Sequence, residues 1–149
     1  MKTTIVMTVA MATALIAGCD SGPKSGRGFR LPDGDATKGK EAFVALQCHA
    51  CHTVSGVELP APESRAEINV VVGGEVAKIK TYGELVTAVI NPSHDLAAGF
   101  DPAKYGTGKT SPMPDYTRTM TARQLIDIVA FLQPHYIELK PDPYYYTTP

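Results

Sequence analysis

Tryptophan is absent and aromatic residues make up only 7% of the 149-residue chain, so its own side chains offer a modest apolar payload for a core. The length suits one domain. Neither sign of charge dominates: the formal net charge of −1 excludes a nucleic-acid binder of the basic-patch kind, and electrostatics name no partner. No internal repeat appears. Lys2 is followed by an uncharged run from Thr3 to Gly18, too short for a transmembrane helix. Cysteine is scarce as well. Of three cysteines only Cys48 and Cys51 lie close together, and a closed zinc site needs four ligands, usually from a second cysteine pair. His94 and His135 stand alone in the sequence, and the neighbourhood lacks the βαβ pattern that a thioredoxin-like thiol pair calls for.

What is present is Cys48-His49-Ala50-Cys51-His52. C-x-x-C-H is the attachment site of a c-type haem. Two thiols three positions apart lie on one side of a helical turn and add across the two vinyl groups, and the histidine that follows ligates the iron over the macrocycle they hold. A buried porphyrin also supplies apolar surface that the aromatic residues do not. A single motif of this kind means one covalent haem c. His49, inside the motif, is not expected to ligate.

The N-terminus carries a different signal. Residues 1–18 read as a secretory signal peptide, and its end, Ile16-Ala17-Gly18-Cys19, resembles the lipobox of bacterial lipoproteins. The resemblance implies that Cys19 becomes the lipidated first residue of the mature chain, tethered to a membrane without spanning it. Several acyl chains hold far more firmly than one. Lipid and haem then use every cysteine, and no disulfide is left to form. The sequence of residues 19–34, rich in Gly, Ser and Pro, reads as a flexible linker spanning on average about 20 Å and about 50 Å when stretched.

Asp35 starts the folded part as N-cap of a helix running to the haem motif. Gly39, Ala42, Phe43 and Leu46 recur at helical spacing and form one apolar stripe. Glycine inside a helix costs about 1 kcal/mol relative to alanine, and a second helix crossing closely there would account for it. A second helix is expected from Tyr82 to about Ile90, with Thr81 and Glu84 as a capping box and Pro92 as its stop. Tyr82, Leu85, Val86 and Val89 share its apolar face. The last runs from Ala122 to about Gln133, with Thr121 and Gln124 as capping box, Leu125, Ile128, Val129 and Leu132 as stripe, and Pro134 as its end. Between the motif and the second helix, β-branched residues flank Gly73-Gly74 and suggest a short hairpin. Residues 134–149 read as an irregular tail, in which Tyr144 to Tyr146 either pack back on the domain or form part of a docking surface.

The candidates for the iron's second axial ligand are Met113, Met120, His94 and His135. The proline setting of Ser111-Pro112-Met113-Pro114-Asp115-Tyr116 favours Met113, because two fixed φ angles and an extended residue before proline stiffen the loop around the sulfur. A thioether there stabilises ferrous iron, and filling both axial positions favours outer-sphere electron transfer over substrate binding. Met120 is expected to pack in the core, His94 to sit on an exposed loop and His135 on the surface.

With these residues in place, the chain resembles the monohaem class I, or mitochondrial-type, bacterial cytochromes c. Cys48-x-x-Cys51-His52, the late Met113-Pro114 and the terminal amphipathic helix carry the resemblance, which covers about residues 35–133. It implies a mostly α fold of three to four short helices around one covalent haem, with the small β-hairpin as an addition. Gly39 and Phe43 look like the family's glycine and aromatic pair, crossing the last helix near Ile128 and Phe131. The resemblance also implies a proline carbonyl beyond the motif, Pro60 or Pro62, as acceptor of the His52 Nδ1 proton. The Val57 to Lys80 stretch is longer and more strand-like than in compact members, and no docking ring of basic residues is evident beyond Lys104 and Lys109. The expected function is electron carriage, outside the cytoplasm or in the periplasm, to a dehydrogenase, an oxidase or another cytochrome, with no small-molecule substrate. The rival readings are a haem-based gas sensor or small peroxidase-like enzyme with an open or labile distal ligand, and a non-haem zinc or structural lipoprotein.

Overall fold

A computed structural model of the protein describes residues 29–96, 100–105 and 110–139. The expected signal peptide, Cys19, most of the linker, Lys109 and Tyr144 to Tyr146 lie outside the described residues. Every helix and strand named below belongs to one compact unit that starts at Pro32.

Helix α1 spans Ala36–Ala45. Asp35 caps it, its Oδ1 accepting the Thr37 and Lys38 amides at 2.9 and 3.1 Å, which satisfies two donors that a helix start otherwise leaves orphaned. Helix α2 spans Tyr82–Ile90 and α3 spans Ala122–Leu132, and each starts with the capping box its sequence announces, Thr81 with Glu84 and Thr121 with Gln124. Asn91 ends α2, one residue before Pro92. On its inner face Leu85 and Val86 are buried, with Tyr82 and Val89 half-buried.

The closest packing is α1 on α3. A Cβ placed on Gly39 would overlap the carbonyl of Asp127 and come within 2.8 Å of the Phe131 Cβ, so the crossing expected from the glycine is there. The rings of Phe43 and Phe131 meet edge to face at 5.7 Å between centroids. Around them Ala42, Val54, Ile128 and Leu132 complete a buried cluster, with Leu46, Cys48 and Met120 packed against it. Burial on α3 is wider than one stripe: Ile126, Asp127 and Phe131 are buried along with Ile128, Val129 and Leu132, whereas Leu125 is only half-buried. The reason is that α3 is sandwiched, with α1 and α2 both packed against it.

Asp127 is the charged residue that this packing buries. Its Oδ1 accepts the Asp35 amide at 2.9 Å and lies 3.8 Å from the Arg123 guanidinium, which also donates to the Asp33 carbonyl at 3.2 Å. A buried carboxylate needs such partners. Here they hold the chain's entry into α1 on the surface of α3.

The strands correct one expectation. The residues on both sides of Gly73 are extended, as β2 (Val70–Val72) and β3 (Gly74–Val76), but they do not form a hairpin with each other. Instead β2 pairs in parallel with β1 (His52–Val54), and β3 pairs in parallel with β4 (Tyr136–Glu138). Gly73 is the one residue between the two strands, too short for the two-residue loop of a tight hairpin. With φ of +81° at Gly73 and +85° at Gly74, the glycines redirect the chain from one ladder to the other. A side chain at Gly73 would also press on the His135 carbonyl, at 2.8 Å from its Cβ.

Candidate haem site

Beyond α1, Gln47 adopts a left-handed conformation with φ of +58°, and the chain tightens into a 3-10 turn over Cys48–Ala50 before His52 opens β1. The motif is thus a short turn between a helix and a strand. Both cysteines are free thiols and half-buried. Burial, and secondarily the neighbouring Cys51, push the Cys48 thiol up to about 11 against a backbone hydrogen bond that lowers it. A thiol raised in this way is poorly nucleophilic until it is deprotonated.

His52 is oriented by the β1–β2 ladder. Cys51 and Val70 are tied through the Val70 amide and the Cys51 carbonyl at 2.8 Å, and the register sets His52 opposite Val70. The Nδ1–H of His52 donates to the Val70 carbonyl at 3.3 Å. A carbonyl can only accept, so this contact keeps the proton on Nδ1 and leaves the Nε2 lone pair free for a metal. Burial lowers the His52 pKa, partly offset by that hydrogen bond, which favours the neutral, ligating imidazole. The acceptor is therefore Val70, and not Pro60 or Pro62 as the resemblance implied. The departure follows from the strand-like Val57 to Lys80 stretch, which brings β2 alongside the motif. Phe43 links this site to the helix crossing, its ring centroid 6.5 Å from that of His52.

A cleft beside His52 is walled by His49, Val57, Leu59, Pro60 and Arg65. His49 is 4% exposed, and its Nδ1 has no hydrogen-bond partner among the described residues. Burial of that imidazole was not legible from its place in the motif.

Met113 is half-buried, in a loop tied at both ends. Upstream, the Met113 amide donates to the Ser111 hydroxyl at 3.2 Å, and the Ser111 amide donates to the Ser93 hydroxyl at 3.1 Å. Downstream, Asp115 accepts the amide and the hydroxyl of Thr117 at 2.9 and 2.6 Å, and the Tyr116 phenol donates to the Leu46 carbonyl at 2.9 Å. Burial, followed by the Cys48 and Cys51 thiols, raises the Tyr116 phenol. Sequence reasoning did not single out Ser93, Tyr116 or Val70. Of the other candidates, Met120 packs against the core and His94 is exposed in the turn after α2. His135 is not a surface residue: it is half-buried, its ring edge-on to Phe131 at 5.4 Å, because the chain doubles back there to form β4.

Among the described residues no group of three or more His, Cys, Asp or Glu side chains is placed to hold a metal ion. Two free thiols on one turn, an imidazole with its Nδ1 proton committed, and a cleft beside it walled in part by Val57, Leu59 and Pro60 fit a covalently held porphyrin iron. This is the site of a c-type haem protein. The cytochrome c family model matches residues 36–135, and the chain belongs to the cytochrome c family. No curated protein and no solved structure matches it. The cofactor is covalently attached haem c, the fold is that of a class I cytochrome c, and the protein is a haem-based electron-transfer protein. No described helix is long and apolar enough to cross a membrane.

Proposed function

We propose that this chain is an exported, lipid-tethered electron carrier with a single haem, working between redox proteins such as a dehydrogenase, an oxidase or another cytochrome. Cys48 and Cys51 form the two thioether links, His52 is the proximal ligand and Met113 the distal one. The haem supplies an iron that cycles between Fe(II) and Fe(III) by outer-sphere electron transfer. The observation that carries the reading is the His52 to Val70 hydrogen bond beside two free thiols. It prepares one nitrogen of one imidazole for coordination next to the covalent attachment points. The two ties on the Met113 loop support the distal assignment, since an electron carrier gains from ligands whose geometry changes little with the iron's charge.

Two spectra test this. A pyridine haemochrome assay should return one c-type haem per chain. The ferrous protein at neutral pH should take up carbon monoxide negligibly, because both axial positions are filled. Ready uptake would replace the carrier with the gas-sensor or peroxidase-like reading, and a colourless product from cells competent in haem attachment would end the haem reading altogether.

The tether rests on the sequence around Cys19. Cys19→Ser should move the protein from the membrane fraction to the soluble exported fraction in cell fractionation. Retention in the membrane after that change would show that something other than lipid holds it there.

A further inference from the structure

The Met113 loop is stiffened locally by its prolines, but prolines fix dihedral angles and not the position of a loop against the rest of the molecule. Position has to come from contacts that reach across the chain. On the downstream side the half-buried hydrogen bond from the Tyr116 phenol to the Leu46 carbonyl does so, bridging 70 positions. Leu46 is the C-cap of α1, where helix carbonyls lack their usual partner, and it lies two residues before Cys48. The acceptor thus belongs to the segment that carries the attachment motif, and the donor to the segment that carries Met113. The backbone keeps the distance between Tyr116 and Met113 short. The Tyr116 carbonyl further accepts the Thr119 and Met120 amides at 3.1 and 2.8 Å, which fixes the tyrosine's own backbone just before α3.

We propose that Tyr116 is a positioning residue for the distal ligand: its phenol clasps the Leu46 carbonyl, binding the Met113 loop to the haem-attachment end of α1 and holding the thioether in register with the iron. The proposal rests on the reading of Met113 as that ligand. Support of this kind, a residue that locks the one making the contact, is what keeps a ligand within a fraction of an ångström of its working position.

The test is Tyr116→Phe in the haem-loaded protein, with haem content verified by the pyridine haemochrome. Phenylalanine keeps the half-buried ring and removes only the donor, so the domain still packs and loads haem. The ferric protein should bind added imidazole roughly fivefold more tightly than the parent, the factor expected from losing one neutral hydrogen bond that favours the methionine-bound state. Its weak far-red band of thioether ligation should also be lost at a lower temperature. Imidazole affinity and band both unchanged, even alongside a lower unfolding temperature, would overturn the proposal and leave Tyr116 a packing residue. Failure of the underlying ligand reading looks different: the far-red band would then survive Met113→Ala.

Discussion

Met113→Ala should abolish the far-red band of the ferric protein and lower its reduction potential by on the order of 0.1–0.2 V, a modest part of the roughly 0.8 V over which axial ligands tune haem iron. The sign follows from softness: a thioether stabilises Fe(II) over Fe(III), so losing it leaves the oxidised state relatively better off. The magnitude follows from what replaces it. Water or a nearby imidazole can take the vacated position, and both favour ferric iron. Met120→Ala is the control, because Met120 packs against the buried cluster of α1 and α3, and its loss should alter stability while leaving band and potential in place. Spectroelectrochemical titration of the three proteins decides the matter. A potential that falls on His94→Ala and not on Met113→Ala would invert the assignment, although His94 stands exposed in the turn after α2.

Gly39→Ala should destabilise the haem-loaded protein by about 3 kcal/mol, the upper part of the usual range for forcing atoms into a packed core. On a free helix surface the same substitution would stabilise by about 1 kcal/mol, since alanine is the better helix former. The two effects have opposite signs, so the experiment discriminates sharply. The atom that a Cβ would strike is the backbone carbonyl of Asp127, which belongs to a helical hydrogen-bond ladder and cannot rotate aside as a side chain can. Relief would require α1 and α3 to separate. Separation would loosen the Phe43–Phe131 contact and the Asp35–Asp127 hydrogen bond together. Thermal unfolding should show the midpoint falling by roughly 10 °C or more for a domain of this size. A midpoint that rises would mean the two helices do not cross at Gly39.

Helix boundaries were legible because their signals are local. Asp35, the pairs Thr81 with Glu84 and Thr121 with Gln124, and Pro92 act within a turn of the residues they terminate, and each acts in the structure as its chemistry dictates. Gly39 was legible through its cost, which only a close neighbour explains. The hairpin failed for a related reason: β-branched residues around Gly73 do specify extended backbone, but not which strand will pair with it. His135 failed because half-burial there depends on β4 returning beside β3, an event encoded far from the histidine itself.

By itself, then, the amino-acid order determined the chemistry of the attachment site, two thiols and an imidazole at C-x-x-C-H spacing, together with the proline-flanked methionine proposed as distal ligand and helices with their starts and stops. Tertiary structure alone decided who holds those groups in place. Every residue carries a carbonyl, so nothing in side-chain type marks Val70 as the acceptor for His52 or Leu46 as the acceptor for Tyr116. Those roles fall to whichever backbone the packing of strands and helices brings within 3.3 and 2.9 Å, across 18 and 70 positions of chain. Asp127 belongs with them, its carboxylate buried because α1 lies across it and tolerated because the Asp35 amide and Arg123 meet it there.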